Sequence, residues 1–320
     1  VSSRSEAGVR IASFRLPGED ELRFGVVADQ ADPCADADVI EVSDLTDAWS
    51  SLAGPLDLLL VAASIEGREV IDQAIRRARH VQVPVAQLQA PVPRPGKFMG
   101  IGFNYRAHAE EMGVVTVAAP LFFNKQVTCI TGPRAEIPLP AASAMLDYEG
   151  ELALVIGRRC RDVPVERAHE VIGGWLACDD VSARDWQREA STVTLGKSHD
   201  GFGPIGPWVV TPDEIDDPQN LSVRTTVNGD LRQDGCTADM IHSVSEQIAY
   251  LSARCTLQVG DLLTTGSPAG SAQGLTPSPW LRAGDVVKVV VEGVGILQNT
   301  VVADAAETLI ASPPAMALLP

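Results

Sequence analysis

The chain has 320 residues, 45% of them hydrophobic and 21% charged, with a formal net charge of −17 and a pI near 4.6. This length holds one large domain or two modest ones, with a sizeable core. A surface this acidic argues against nucleic-acid or anionic-membrane partners, and an anionic substrate needs a locally positive site.

The amino end, Val1 to Arg10, is polar and lacks the apolar stretch of a signal peptide. Val9 to Phe14 and Leu22 to Val27 then read as short strands separated by Pro17-Gly18. Glu69 to His80 reads as a helix, with Val70, Ala74 and Ala78 on one stripe and Ile71 and Ile75 beside it. Three prolines between Pro91 and Pro95 favour a stiff, extended connector. It divides a small α/β unit, 1–93, from a strand-rich unit, 94–320. In the second unit Pro164 to Leu176 is the clearest helix. Leu262 to Thr265 and Val286 to Val291 are apolar strands, each after a Gly-Asp turn. An apolar, Pro-containing tail follows Ala311. No apolar run is long enough to span a membrane. The six cysteines show no CxxC spacing and read as reduced, mostly buried thiols. A cytoplasmic protein is expected.

Five segments carry chemistry. Leu146 to Gly157 alternates and is rich in β-formers, so it reads as a strand in which Glu149 and Glu151 share a face. Leu152, Leu154 and Ile156 take the other face. Two such carboxylates, dry and unpaired, would repel each other, and a hard divalent cation resolves the conflict. An exposed strand face is the competing reading. Asp179-Asp180 supplies further carboxylates. In Gly100 to Gly113, His108 and Glu111 are three apart and share a helical face. A carboxylate beside an imidazole orients it and suits it to general-base work, unless the pair is a plain surface contact. Leu195 to Pro207 is a shaped Gly/Pro-rich loop whose Lys197 could meet an anion or an oxyanion. Thr264 to Gly270 is a strand entering a tight turn with NH groups and hydroxyls able to hold a carboxylate.

Taken together and in this order, the segments resemble the fumarylacetoacetate hydrolase family, including its bacterial acylpyruvase and 2-hydroxyhepta-2,4-diene-1,7-dioate isomerase-like members. The likeness runs from Pro95 to about Thr300. It rests on Asn-Tyr-x-x-His-x-x-Glu at 104–111, Glu-x-Glu at 149–151 and Asp-Val-Ser-Ala-Arg-Asp-Trp-Gln at 180–187. Lys-Ser-x-Asp at 197–200, Pro-Ile-Gly-Pro at 204–207 and Thr-Gly-Ser-Pro-Ala-Gly at 265–270 complete it. The family usually carries Asn at the position of Asp179, Thr at Ser267 and an aromatic residue at His199.

The resemblance implies an α+β fold, a strand-rich mixed β-sheet roll preceded by a small α/β domain, and a homodimer. It implies one Mg²⁺ or Mn²⁺, with Ca²⁺ as a substitute, on Glu149, Glu151 and Asp180. It gives Gln187 and Lys197 contact with substrate and water or oxyanion, and makes His108 and Glu111 a dyad on a lid that orders with substrate. Tyr105, Arg106 and the turn Thr265, Gly266 and Ser267 would bind a small anionic keto acid. The expected reaction is hydrolysis of a C–C bond in a β-diketo acid. Oxaloacetate decarboxylation or hydroxymuconate-type isomerisation on the same site is the alternative, and a noncatalytic binding protein with a decayed site is another.

Overall fold

The computed structural model describes residues 8–28, 38–46, 55–62, 65–114 and 118–305. Cys34 and the tail after Ala311 lie outside them.

The fold is α+β and strand-rich, as the resemblance implied. A large sheet runs in the order Arg79–Pro84, Val39–Asp44, Arg23–Val27, Arg10–Phe14, Gly203–Val210, Ile172–Asp179, Gly150–Ile156, Leu262–Thr264, Phe98–Gly102 and Leu121–Lys125. The amino-terminal strands join the rest where Arg10 and Ile11 pair with Val210 and Val209. One sheet therefore crosses the Pro-rich connector. A second sheet orders Asp230–Cys236, Ser222–Val227, Val286–Val291, Gly295–Ala303 and Glu136–Leu139. It covers Gly150–Ile156, which is buried along its whole length on both faces. At Gly150 the two sheets approach closely. A Cβ there would sit 2.1 Å from Thr225 Oγ1.

Two predicted helices differ. The amino-terminal helix is Ile65–Ile75, and Arg79 and His80 begin a strand instead. Val81 and Val83 alternate inward on that strand, so sheet pairing overrides helix periodicity. The buried stripe of the helix is Ile71 and Ile75, while Val70 is exposed. Pro164 to Leu176 is not one helix. A 3₁₀ stretch, Val165–Val171, leads into the strand Ile172–Asp179. Gly173-Gly174 decides this. Glycine is a poor helix former, and here it lets backbones approach: a Cβ on Gly173 would lie 2.8 Å from Gly157 Cα, and one on Gly174 2.4 Å from Val209 Cγ1. Of the thiols, Cys129 and Cys178 are buried, while Cys160, Cys236 and Cys255 are partly exposed. Among the described residues no helix is long and apolar enough to cross a membrane.

Candidate active site

The predicted Leu146–Gly157 strand is interrupted. Leu146–Asp147 pairs with Ser182–Ala183, and Gly150–Ile156 pairs with Ile172–Asp179. Tyr148 and Glu149 form the step between. That step brings Glu149 over Asp180, whose N–H donates to Glu149 O at 2.8 Å. Glu149, Glu151 and Asp180 each present an oxygen within 4.8 Å of the others, and all three are buried. This excludes the exposed-face reading.

The sequence shows no cation beside these carboxylates, but the fold brings in three. Lys197 Nζ donates to Glu149 Oε2 at 2.7 Å and Asp180 Oδ2 at 2.5 Å. Lys125 Nζ donates to Asp180 Oδ1 at 2.5 Å and to Phe202 O at 3.0 Å. Arg184 donates to Glu149 Oε1 at 2.5 Å, to Asp147 Oδ2 at 2.8 Å and to Gln187 Oε1 at 2.9 Å. Asp147 in turn accepts N–H bonds from Tyr148, Ala272 and Gln273. Burial would raise the Glu149 carboxyl, but Arg184, Lys197 and His108 hold it well below the usual carboxylate range. Glu151 goes the other way. Burial, with Asp180 and Glu149 beside it, pushes it well above its ordinary value. Its hydrogen-bond partner is the Gly266 N–H at 2.7 Å.

These residues fit a hard divalent cation. Three buried carboxylates converge, their donors are all oxygen, and among the described residues no lysine or arginine is paired directly with Glu151. Lys197 is the group with which an ion would share Glu149 and Asp180.

The helix Arg106–Glu111 carries the dyad. His108 Nδ1 lies 3.1 Å from Glu111 Oε2, and Nε2 lies 3.7 Å from Glu149 Oε1. The first contact favours the Nδ1–H tautomer and leaves Nε2 as the basic atom. The second is too long for a direct bond but suits a bridging water. Glu111 is itself anchored by the Gly270 N–H at 3.1 Å. The segment is helical, with its dyad assembled. Asn104 fixes its base. It donates to Thr265 O and His242 O and accepts from His242 N–H. Phe103, just before it, takes φ +54° and stacks its ring on His108 at 6.1 Å.

A cavity of about 400 Å³ opens on these groups. His108, Glu149, Glu151, Arg184, Gln187, Lys197 and Ser267 line it, with Ser191 to Thr194 along one side. Tyr105, Arg106, Thr265 and Gly266 do not. Tyr105 is turned into the core beside Met240, and Arg106 is exposed on the first turn of its helix. Thr265 Oγ1 donates to Leu152 O, and the Gly266 N–H is committed to Glu151. Ser267 faces the cavity, but its hydroxyl accepts from Gln233 Nε2 at 2.7 Å. Asp179 stands behind the site. Its Oδ1 accepts the Glu149 N–H, and burial pushes its carboxyl up to about 7. His199 packs edge-on against Trp186 and Phe202, filling an aromatic role.

Sequence reasoning missed Lys125, Arg184 and Asp147. Arg184 had a usable signal: it sits three residues before Gln187 and so shares its helical face.

Residues 97–302 match the fumarylacetoacetate (FAA) hydrolase C-terminal family model. A Burkholderia lata protein named only as a hydrolase is 41% identical over 254 residues, 76% of this chain and 90% of its own. A fumarylacetoacetate hydrolase from Exiguobacterium antarcticum superposes with a TM-score of 0.78 at 34% identity, covering 92% of this chain and 100% of that one. A 2-hydroxyhepta-2,4-diene-1,7-dioate isomerase from Mycobacterium marinum superposes with a TM-score of 0.70 at 32% identity, covering 93% and 100%.

Proposed function

The chain belongs to the fumarylacetoacetate hydrolase family, and from that premise we propose that it is a divalent-metal-dependent hydrolase cleaving the C–C bond of a 2,4-dioxo acid of the acylpyruvate kind. The observation that carries this reading is the position of His108: one ring nitrogen on Glu111, the other facing Glu149 across 3.7 Å. A base thus stands beside the buried carboxylates, at a distance a water can bridge.

Glu149, Glu151 and Asp180 would hold Mg²⁺ or Mn²⁺, which supplies a Lewis acid at the 2-oxo acid end of the substrate. His108 Nε2 takes a proton from water as the oxygen adds to the distal carbonyl carbon. Glu111 stabilises the imidazolium that forms. Lys197 and the amide NH₂ of Gln187 are the donors available to the growing oxyanion. Arg184 already occupies Gln187 Oε1, which fixes that amide's direction. Collapse breaks the C3–C4 bond, leaves its electron pair on C3, and returns the proton from His108. One water is consumed, and a carboxylic acid and pyruvate are released. Incubation with an acylpyruvate and Mg²⁺ tests this, with the two acids expected in equal amounts.

Isomerisation of a dienoate or decarboxylation of oxaloacetate is the second reading. The likeness to an isomerase at 32% identity favours it, and it needs no attacking water. The formed dyad favours hydrolysis. The proposed assembly is a homodimer, for which sedimentation should give twice 33.9 kDa at micromolar concentration.

A further inference from the structure

We infer that the cavity selects substrates with one carboxylate and an apolar distal group over those with a carboxylate at each end. The inference rests on the hydrolase reading and narrows its substrate class.

The edge strand Leu121–Lys125 sets the polarity of the site. Leu121, Phe123 and Lys125 share one face of it, each step roughly 7 Å along. Lys125 ends on Asp180 at 2.5 Å. The Phe123 ring lies over Lys197, 4.9 Å from Nζ to centroid. Leu121 lines the cavity yet is 52% exposed, so it marks the mouth. Moving outward along this face, a lysine buried behind the cavity gives way to an aromatic and then an aliphatic side chain that line it. Phe103, Ile101 and Val193 continue the apolar lining.

Gly100 makes this wall possible. A Cβ there would sit 2.4 Å from Phe123 Cζ, so only glycine lets the ring lie across the neighbouring strand. Among the described residues the cavity is lined by two fixed cations, Arg184 and Lys197, both already bonded to site carboxylates. Arg106 does not line it, and Arg188 stops at Gln273, 3.2 Å away. A 2-oxo acid head meets the charged end. A distal alkyl or phenyl group buries its surface on Ile101, Phe103 and Phe123, whereas a distal carboxylate set among these side chains would lose water without gaining a cation.

The test compares two 2-oxo acids of equal length, 2-oxooctanoate and 2-oxooctanedioate, by calorimetric titration of the wild-type protein in Mg²⁺. The monocarboxylate should bind at least roughly 100-fold more tightly. Leu121→Arg adds a cation at a half-exposed site outside the catalytic machinery. It should narrow the ratio at least roughly tenfold by improving the dicarboxylate. Equal binding, preference for the dicarboxylate, or an unaltered ratio in a folded Leu121→Arg variant overturns the inference. Binding is read without turnover, so the two ideas fail separately. The expected preference without any acylpyruvate cleavage refutes the hydrolase reading alone. Cleavage with a preference for the dicarboxylate refutes the apolar wall alone. No binding of either acid counts against both.

Discussion

Gly274 faces the carboxylate of Glu111 so closely that a methyl group on it would sit 2.0 Å from Glu111 Cδ and 2.3 Å from Oε1. The dyad therefore depends on a residue with no side chain, 163 positions away. Gly274 does not occupy the left-handed region, so alanine strains no backbone there. The flexible end of Glu111 must yield instead. Gly274→Ala is expected to keep the unfolding midpoint nearly unchanged but lower hydrolysis roughly 10²-fold, the scale of a 1 Å misplacement. A variant with wild-type kcat would remove Glu111 from the mechanism.

Ion binding can be measured without turnover. Glu151 carries raised proton affinity because burial and two like charges surround it, outweighing Lys197 nearby. Calorimetric titration with Mn²⁺ should give one site per chain in the wild type and no measurable site in Glu151→Gln. Mg²⁺ or Mn²⁺ should support activity better than Zn²⁺, which prefers nitrogen and sulfur. Full activity after exhaustive chelation would sink the assignment.

Local rules made two of the acidic pairings legible, while Asp180 was joined to them only by the family resemblance. Alternation placed Glu149 and Glu151 together, and i,i+3 spacing paired His108 with Glu111. The cations that neutralise the carboxylates were not legible, because Lys125 and Asp180 are 55 positions apart and Arg184 and Asp147 are 37 apart. Only strand order brings such pairs together. Tyr105 and Arg106 came from the family resemblance, and the helix that starts there turns one inward and the other to solvent. The 164–176 segment was misread for a related reason. Its periodicity suits a helix, yet Gly173 and Gly174 serve contacts with Gly157 and Val209 that no local pattern reveals.

The helix Val244–Ser252 begins with a capping box immediately after His242, which holds Asn104 at the base of the dyad helix. Ser243 Oγ accepts the Glu246 N–H, and Glu246 Oε2 accepts the Ser243 N–H at 2.8 Å. Ser243→Ala should cost about 1 kcal/mol of unfolding free energy. Those bonds, backbone first, hold the Glu246 carboxyl below its ordinary value. A carboxyl depressed in the folded state stabilises fully above its unfolded pKa of about 4.3, and the effect is lost as pH falls through the lower folded value. The stability difference between wild type and Glu246→Gln, read by urea unfolding, should hold from pH 7 to 5 and shrink below about 4. A difference that grows on acidification would contradict the sign.

The central claim is that His108 activates water, and one comparison tests it most directly: acylpyruvate hydrolysis and oxaloacetate decarboxylation measured side by side in wild type and His108→Ala. Hydrolysis should fall roughly 10²–10⁴-fold, the range for loss of a general base, and Glu111→Gln should lose somewhat less. Decarboxylation needs no attacking water, so any such activity should survive far better in His108→Ala. Hydrolysis left intact in His108→Ala would contradict the account, as would a wild type that decarboxylates oxaloacetate and never cleaves an acylpyruvate.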